Sequence, residues 1–587
     1  MNSQRINTFR KLITLSTNAI KQYGFRYLIT TVLLEIRHNG FAIFKPEPET
    51  KIINTYSEEI SYKIWLREHE LGSKKIQKIR IEVNEFKTCP KITIILNVKV
   101  DECEMLLQSL QKQLYKNFEI IINCQKLIYD KVVKSIKEFK GIEIIENKEN
   151  CDKINELVSK CSGEWILLLN NVKTLTEDAL YHIIVEINSN ENIELIYSDE
   201  DRWLETNRIN PFFKPDWSPD LFLSQDYISN FFAISKKIWK ETKFDDSLQY
   251  TRYYDFLLKI TDKPRMIKHI TKILYSIEEK HDKVNLESKN ILKNTLQRRR
   301  IEGEVLDGLI PRTFRIKYKI KGNPKISIII PTKDNKLILQ RCLDSLRTKT
   351  DYKNFEVIII DNNSETEEMK KYLNSLSHKV LSYKDSFNFS KLNNLGRKNA
   401  TGEFLLFLND DIAALKSNWL ENMIEIGQQE GVGVVGAKLV LSDNNIQHAG
   451  WVYLKSGAGI HPFTDTDAES DKFNGQINVI RNYSAVTGAC QLIKTEIYDK
   501  VGGYDENFDL YYGDSDLCMK VIEAGYRIVY TPYAKLLHQG STSIKKQSKV
   551  FFSTENHLEF ITKWKNVKNG DPFYNPNLKI NYRIKTE

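Results

Sequence analysis

The most regular feature of the chain is a short β-branched run, then an amphipathic stretch, then a second β-branched run. It is clearest at Ile326–Ile330, Leu337–Leu346 and Phe355–Ile360. Near-continuous apolar strands alternating with helices predict parallel βαβ units in a sheet covered on both faces. The pattern also occurs earlier, partly in the same residues. Pro90-Lys-Ile-Thr-Ile-Ile95 recurs as Pro324-Lys-Ile-Ser-Ile-Ile329. Tyr115-Lys-Asn-Phe-Glu-Ile-Ile-Ile122 recurs as Tyr352-Lys-Asn-Phe-Glu-Val-Ile-Ile359, and Gly163-Glu-Trp-Ile-Leu-Leu-Leu-Asn170 as Gly402-Glu-Phe-Leu-Leu-Phe-Leu-Asn409. The offsets are 234, 237 and 239 residues. Three ordered matches in nearly one register predict two copies of one fold. The expected division is an N-terminal helical segment at 1–85, a first α/β domain at 86–281, a connector at 282–322 and a second α/β domain at 323–575.

In open α/β sheets, ligands bind beyond the carboxyl ends of the strands. In the second copy three such ends are polar: Pro331-Thr332-Lys333-Asp334-Asn335, Asp361-Asn362-Asn363-Ser364, and Asn409-Asp410-Asp411. Adjacent acids after a buried strand suit Mg²⁺ or Mn²⁺, which take one or two carboxylates plus substrate phosphates. They also suit a helix cap, because Asp favours helix N-termini. Downstream, Asp514 or Asp516 in Gly513-Asp-Ser-Asp-Leu-Cys-Met-Lys520 could act as a base or as a cap. His538 follows an apolar run and could ligate metal or pack.

The first copy serves as a control. Asp410 and Asp411 fall opposite Asn171 and Val172, Asp514 opposite Tyr253, His538 opposite Ser276, and Asp361 opposite Cys124. Asp516 is retained as Asp255. The apolar residues that determine the fold survive in both copies, whereas the chemical ones survive only in the second. Valine cannot bind a hard cation, and a phenol with a pKa of about 10 is a poor base at neutral pH. The pattern assigns function to Asp411, Asp514 and His538, and a structural role to Asp516.

Length and charge narrow the classes. With 587 residues the chain is too long for one core. A net charge of +9 over that length suits nucleotide diphosphates or a phospholipid surface and is too dilute for nucleic-acid binding. The eight cysteines form no CxxC pair, which fits a reduced cytoplasmic compartment. No run reaches the roughly 20 apolar residues of a membrane span. Residues 1–45 carry Arg5, Arg10, Lys11, Lys21, Arg26, Arg37 and Lys45 against Glu35. This stretch reads either as a basic amphipathic helix on the inner face of a membrane or as a helix packed on its own protein.

Taken together, several motifs resemble the family 2 glycosyltransferases of GT-A fold, in the tandem-domain O-antigen or cell-wall polysaccharide type. They are Ser327-Ile-Ile-Ile-Pro-Thr-Lys-Asp334, Phe387-Asn-Phe-Ser-Lys-Leu-Asn-Asn394, Leu408-Asn-Asp-Asp411, Thr487-Gly-Ala489 and the segment Gly513–Lys520. In the first copy they are Tyr197-Ser-Asp-Glu-Asp201 and Phe212-Phe-Lys-Pro-Asp-Trp-Ser-Pro-Asp220. The resemblance implies two tandem nucleotide-diphospho-sugar transferase domains, the first degenerate. It implies inverting transfer from a nucleotide-diphosphate sugar to a glycan or lipid-linked glycan. Pro331, Thr332, Lys333, Asp334, Asp361, Asn388, Asn394, Arg397, Asp410 and Gly488 would bind the donor. Asp334 and Asp361 would contact base and ribose, and Lys333 or Arg397 the diphosphate. Asn409-Asp410-Asp411 resembles the family's DxD motif with Asn in the first slot, leaving Asp411 and His538 as metal ligands. Asp514 would be the catalytic base, with Gly513 lending backbone freedom where the family usually has Glu or Asn. Two alternatives stand beside this: a bifunctional enzyme using Asp199, Glu200 and Asp201, and a glycan-binding scaffold.

Overall fold

The computed structural model describes residues 58–98, 104–124, 154–248, 251–278, 286–539 and 554–586. The basic stretch 1–45 lies outside the described residues. Helices Glu58–Glu68 and Ser73–Glu85 precede the first sheet. That sheet contains β1 (Ile92–Val98), β2 (Phe118–Cys124), β3 (Trp165–Leu169), β4 (Val172–Leu175), β5 (Leu195–Leu204), β6 (Asn207–Phe212), β7 (Phe231–Ser235) and β8 (Ile267–Glu278). A hairpin of β9 (Gly303–Asp307) and β10 (Phe314–Tyr318) follows.

The second sheet is built from β11 (Ile326–Thr332), β12 (Phe355–Asp361), β13 (Lys379–Ser382), β14 (Phe404–Leu408), β15 (Ile412–Ala414) and β16 (Val432–Val440). Next come β17 (Ile446–His448), the small hairpin β18 (Val452–Tyr453) and β19 (Gly459–Ile460), then β20 (Arg481–Tyr483), β21 (Cys490–Lys494) and β22 (Arg527–His538). Four helices matter below: α1 (Arg252–Ile260), α2 (Phe389–Lys398), α3 (Gly513–Glu523) and α4 (Thr554–Lys563).

The first sheet runs β2-β1-β3-β7-β5-β8-β4 and the second runs β12-β11-β14-β21-β16-β22-β15, extended by β13. The two orders correspond strand for strand. Registers correspond too: Ile92 pairs with Phe118 and Trp165 as Ile326 pairs with Phe355 and Phe404. Both sheets are mixed, with β7 and β21 antiparallel to their neighbours. Strand register also corrects one sequence alignment by a residue. With Asp411 opposite Val172, Ala413 falls opposite Thr174; Ala413 pairs with Leu537 and Thr174 with Ser276, so His538 falls opposite Ile277 rather than Ser276. The spacing that sets Asp514 opposite Tyr253 gives the same match.

The repeated motifs have one physical explanation at the amino ends of the strands. Ser327 Oγ donates to Glu356 Oε1 at 2.6 Å and receives the Gly402 N–H at 2.8 Å. Lys325 Nζ lies 3.0 Å from Glu356 Oε2, and the Thr401 N–H donates to Oε1 at 2.9 Å. Thr93, Glu119, Gly163 and Lys91 repeat the arrangement, with the Ser162 N–H donating to Glu119 at 2.7 Å. Tyr352 and Tyr115 each donate to the prolyl carbonyl that precedes the first strand, Pro324 and Pro90. Glycine is required because a Cβ on Gly402 would lie 2.6 Å from the Ser327 nitrogen.

The two units share one apolar core and a buried polar seam. The Ser218 hydroxyl donates to Asn482 Oδ1 at 2.8 Å, Asn482 Nδ2 to Asp220 at 2.7 Å, and Arg527 Nε to Asp220 at 2.9 Å. From the C-terminal segment, Asn575 donates to Asp199 at 2.8 Å. Among the described residues no helix is long and apolar enough to cross a membrane.

Partial burial raises the Glu356 pKa, but the Ser327 and Thr401 hydrogen bonds and the Lys325 ion pair outweigh it and hold the carboxyl at about 2. A depressed folded-state pKa contributes stability above the ordinary carboxylate range, and that stability is lost as pH falls through about 2. Glu356→Gln is therefore expected to lower stability at pH 7 by about 1–2 kcal/mol, discounted for the solvent that reaches this site. Thermal melts of both proteins from pH 7 to pH 2 should converge. A deficit that persists unchanged at pH 2 would contradict the ionic origin.

Candidate active site

The site forms where two turns meet at the carboxyl end of the second sheet. Leu408 pairs with Cys490 at the end of the β14–β21 ladder, and the Asn409 N–H donates to the Ala489 carbonyl at 3.0 Å. The turn Asn409-Asp410-Asp411 thus lies against the turn Thr487-Gly488-Ala489. From the latter, the Gly488 N–H donates to Asp514 Oδ2 at 2.8 Å. Asp411, Gly488 and Asp514 therefore belong to one connected set of turns.

Asp410 and Asp411 have different surroundings. The Thr332 hydroxyl donates to Asp410 Oδ2 at 2.7 Å. Burial, reinforced by the neighbouring Asp411 charge, pushes the Asp410 carboxyl up to about 6 against the pull of that hydrogen bond. His538 Nε2 lies 3.2 Å from Asp411 Oδ1. The contact is poorly aligned for a hydrogen bond, and Asp411 Oδ1 and His538 Nδ1 are buried without hydrogen-bond partners. A carboxylate oxygen and an imidazole side by side, with unpaired buried atoms between and behind them, fit a divalent cation. Among the described residues no three His, Cys, Asp or Glu are grouped to hold a metal by themselves. A cation here would complete its shell from phosphate and water, as Mg²⁺ and Mn²⁺ usually do.

Asp514 opens α3, and burial raises its pKa against hydrogen bonds from the Gly488 and Ser515 backbone. Gly513 is constrained by space rather than freed by its lack of a side chain. Its φ is not positive, and a Cβ would lie 2.9 Å from Ser390 Oγ, which donates to the Phe508 carbonyl. In the first unit, Asn170 bonds to Asn230 as Asn409 does to Ala489. There, however, Tyr253 is buried edge-on to Phe232 and Phe244.

The other expected donor residues divide. Pro331 and Thr332 end β11 beside Asp410. Lys333 is partly exposed, with Nζ 3.7 Å from Glu365. Asp334 Oδ1 accepts the Glu365 and Thr366 N–H groups at 2.7 and 2.9 Å. Although partial burial opposes it, these bonds lower its pKa. Asp361 ends β12 next to Thr332 and accepts the Ser364 N–H at 3.0 Å.

Three residues are engaged elsewhere. Asn388 caps α2 through the Lys391 N–H and donates to the Glu506 carbonyl at 2.8 Å. Asn394 bridges Tyr498, Tyr504 and Glu506, using both ends of its amide. Arg397 sits in the last turn of α2, paired through both nitrogens with Asp499 at 2.8 and 2.6 Å and bonded to the Ala400 carbonyl. That helix end leads into the amino end of β14, so the structure does not bring Arg397 to the Asp410 turn.

Two histidines, His448 and His461, buttress the site. His448 Nδ1 lies 2.9 Å from His461 Nδ1, and His448 Nε2 accepts the Gly450 and Thr487 N–H groups at 3.3 and 3.5 Å. Burial depresses both pKa values, His461 to about 4. The pair stays neutral and supports the turn that holds Asp514.

In the first unit the acids of Tyr197–Asp201 are buried and engaged. Asp199 accepts from the Lys214 N–H and His269, Glu200 from Lys214 Nζ and Tyr275, and Asp201 from Arg208 and Tyr62. A cleft of about 290 Å³ opens on this unit beside Lys112, Thr174, Trp203 and Arg208. No expected site residue lines it.

Residues 327–502 match the family model described as glycosyl transferase family 2. An uncharacterised protein, y4gI, of Sinorhizobium fredii is 31% identical over 534 residues, covering 85% of this chain and 58% of that one. The O-antigen biosynthesis protein RfbC of Myxococcus xanthus is 31% identical over 446 residues, covering 73% of this chain and 34% of that one. This chain thus spans about a third to three-fifths of the length of these relatives. A crystal structure of GalNAc-T7 with UDP, GalNAc and Mn²⁺ aligns with a TM-score of 0.35 and 15% identity, over 44% of this chain and 51% of that one. Residues 327–502 thus carry a family 2 glycosyltransferase domain, set in the second mixed sheet.

A carboxyl that ionises near 6 instead of near 4 penalises the folded state once pH exceeds 6, by roughly 2–3 kcal/mol. The penalty falls to zero below pH 4. Asp410→Asn is therefore expected to raise the thermal midpoint of the metal-free protein at pH 8 and to leave it unchanged at pH 3.5. Equal midpoints at pH 8 would show that burial of this charge carries no such cost.

Proposed function

We propose that the second unit, residues 323–575, transfers a sugar from a nucleotide diphosphate to a glycan or lipid-linked glycan in surface polysaccharide synthesis. In this reading transfer inverts the anomeric centre, and the first unit, residues 86–281, is non-catalytic. The observation that carries it is the hydrogen-bonded junction of the Asp411 turn with the Gly488–Asp514 turn, where the first unit has Val172 and Tyr253. The printed role of the Myxococcus relative in O-antigen biosynthesis supports the polysaccharide setting.

Asp411 and His538 would hold the cation, and an imidazole in the donor set favours Mn²⁺ over Mg²⁺. When bound, a divalent ion supplies positive charge against the departing diphosphate. Lys333, at the end of β11, adds a second positive charge. Thr332 and Asp361, adjacent at the strand ends, and Asp334, through its remaining oxygen, form the wall for nucleoside and ribose. Asp514 accepts the proton of the acceptor hydroxyl as that oxygen attacks the anomeric carbon. Its raised pKa brings its basicity closer to neutrality, where proton transfer is most effective. The Gly488 N–H holds Oδ2 and the Ser515 N–H holds Oδ1, each at 2.8 Å, so the carboxylate is fixed in place with a lone pair remaining for the proton.

The test is release of nucleoside diphosphate from a panel of UDP-, GDP- and dTDP-sugars by the purified chain with Mn²⁺. Asp411→Ala and Asp514→Asn are each expected to lose roughly 10²–10⁴-fold in turnover while remaining folded. Turnover retained by either variant would remove that residue from the mechanism.

A further inference from the structure

Tyr512, the residue before α3, has φ +68° and ψ −5°. The left-handed region is rare for any side chain other than glycine and exceptional for a bulky one. The corresponding residue of the first unit is Thr251, which precedes α1 with φ −116°. The strained conformation therefore occurs in the copy that has a carboxylate at the next position but one, and not in the copy with Tyr253 there.

The contacts of Tyr512 come from a distant part of the chain. Its hydroxyl lies 2.8 Å from His557 Nδ1. Its ring stacks on Phe560 at 4.8 Å between centroids and 28° between planes. Both partners are on α4, which makes further bonds to the segment around Asp514. Trp564 Nε1, just after α4, donates to Asp516 Oδ1 at 2.8 Å, and Lys563 Nζ lies 2.7 Å from the same oxygen. Lys563 also pairs with Asp505 at 2.7 Å, and Asn556 donates to Asp509 at 2.9 Å. Asp516 also pairs with Lys520 of its own helix at 3.4 Å, as its counterpart Asp255 does with Lys259 at 2.6 Å, so the bonds from α4 and Trp564 are additional to a pair both copies keep.

We propose that α4 is a positioning element for the base. His557 and Phe560 hold Tyr512 left-handed, Trp564 and Lys563 anchor Asp516, and between them the helix start is rotated so that Asp514 meets the Gly488 N–H and faces the acceptor. This rests on the reading of Asp514 as the base. It gives Asp516 a role that sequence comparison alone could not distinguish from capping. The energetic logic is that a left-handed aromatic residue persists only where its surroundings over-determine it. A ring stack plus a hydrogen bond on the same side chain supplies two independent constraints. Released from them, the Tyr512 backbone would relax to negative φ and swing the first turn of α3. Shifts of about 1 Å at a reacting group lower turnover by roughly a hundredfold.

The experiment uses the full chain and the double variant His557→Ala/Phe560→Ala. Hydrogen–deuterium exchange is read on peptides covering 505–516, with peptides of β11 and β12 as internal controls. Exchange is expected to rise in 505–516 and to stay unchanged in the controls. Using the nucleotide sugar turned over in the panel above, kcat should fall about ten- to a hundredfold with donor KM unchanged. The single variant His557→Asn, whose amide oxygen can take the place of Nδ1, should restore most of the turnover lost in His557→Ala. Unchanged exchange in 505–516, raised exchange with wild-type kcat, or loss in His557→Asn equal to that in His557→Ala would each overturn the proposal. Exchange rising in the control strands as well would also overturn it, because the helix would then serve only general stability. Asp514→Asn run in parallel separates the two questions. Its retained turnover would sink the base assignment, while the exchange data still decide whether α4 fixes the turn.

Discussion

The antiparallel pairing of β14 with β21 is the constraint on which the site depends. It sets Leu408 opposite Cys490 and so brings the Asn409–Asp411 turn beside the Thr487–Ala489 turn. Side chains alternate faces along a strand, and both faces of Phe404–Leu408 are buried, so a slip of one residue would exchange the side chains packed on the two faces. The close packing of both faces opposes that slip. Two turns far apart in sequence are thereby held within a hydrogen bond of each other before any polar residue contributes.

The amino and carboxyl ends of the sheets diverge for a physical reason. At the amino ends, the knots around Glu119 and Glu356 tie three segments together, and each requires a lysine, a hydroxyl and a glycine at set places. Losing one member leaves a partly buried polar group unpaired, so both copies keep the set. At the carboxyl ends no such knot ties the segments, and the two copies differ there, with Val172 where the second has Asp411.

The first unit is built into the second. Its most distinctive segments, Tyr197–Asp201 and Phe212–Asp220, carry acids that would suit a second site by composition. Their carboxylates are instead used in the core, by Lys214, His269, Arg208 and Tyr62, and across the seam by Asn575, Asn482 and Arg527. Buried charges require such partners, and each of these acids has at least one. The seam makes the first unit a platform against which β20 and β22 are set.

Much of this was legible in the residue order alone. Periodicity gave the strands β11, β12 and β14, and the repeat gave the correspondence of β1, β2 and β3 with them, because backbone pairing and apolar burial are local, strongly patterned demands. The carboxyl-end positions of Thr332, Asp361, Asp410 and Asp411 followed from that order. Three things did not follow. Asn388 caps α2 and Asn394 and Arg397 lie in it, and all three bond to 498–506, because a helix radiates side chains and only packing decides which neighbour each meets. The match of His538 to Ile277 was decided by strand pairing, because the apolar residues before each leave a sequence alignment free to slip by one. The left-handed turn at Tyr512 has no local signal, since nothing in the residues around it favours that conformation. A helix some 45 residues further along imposes it, and contacts at that separation are decided by the tertiary fold.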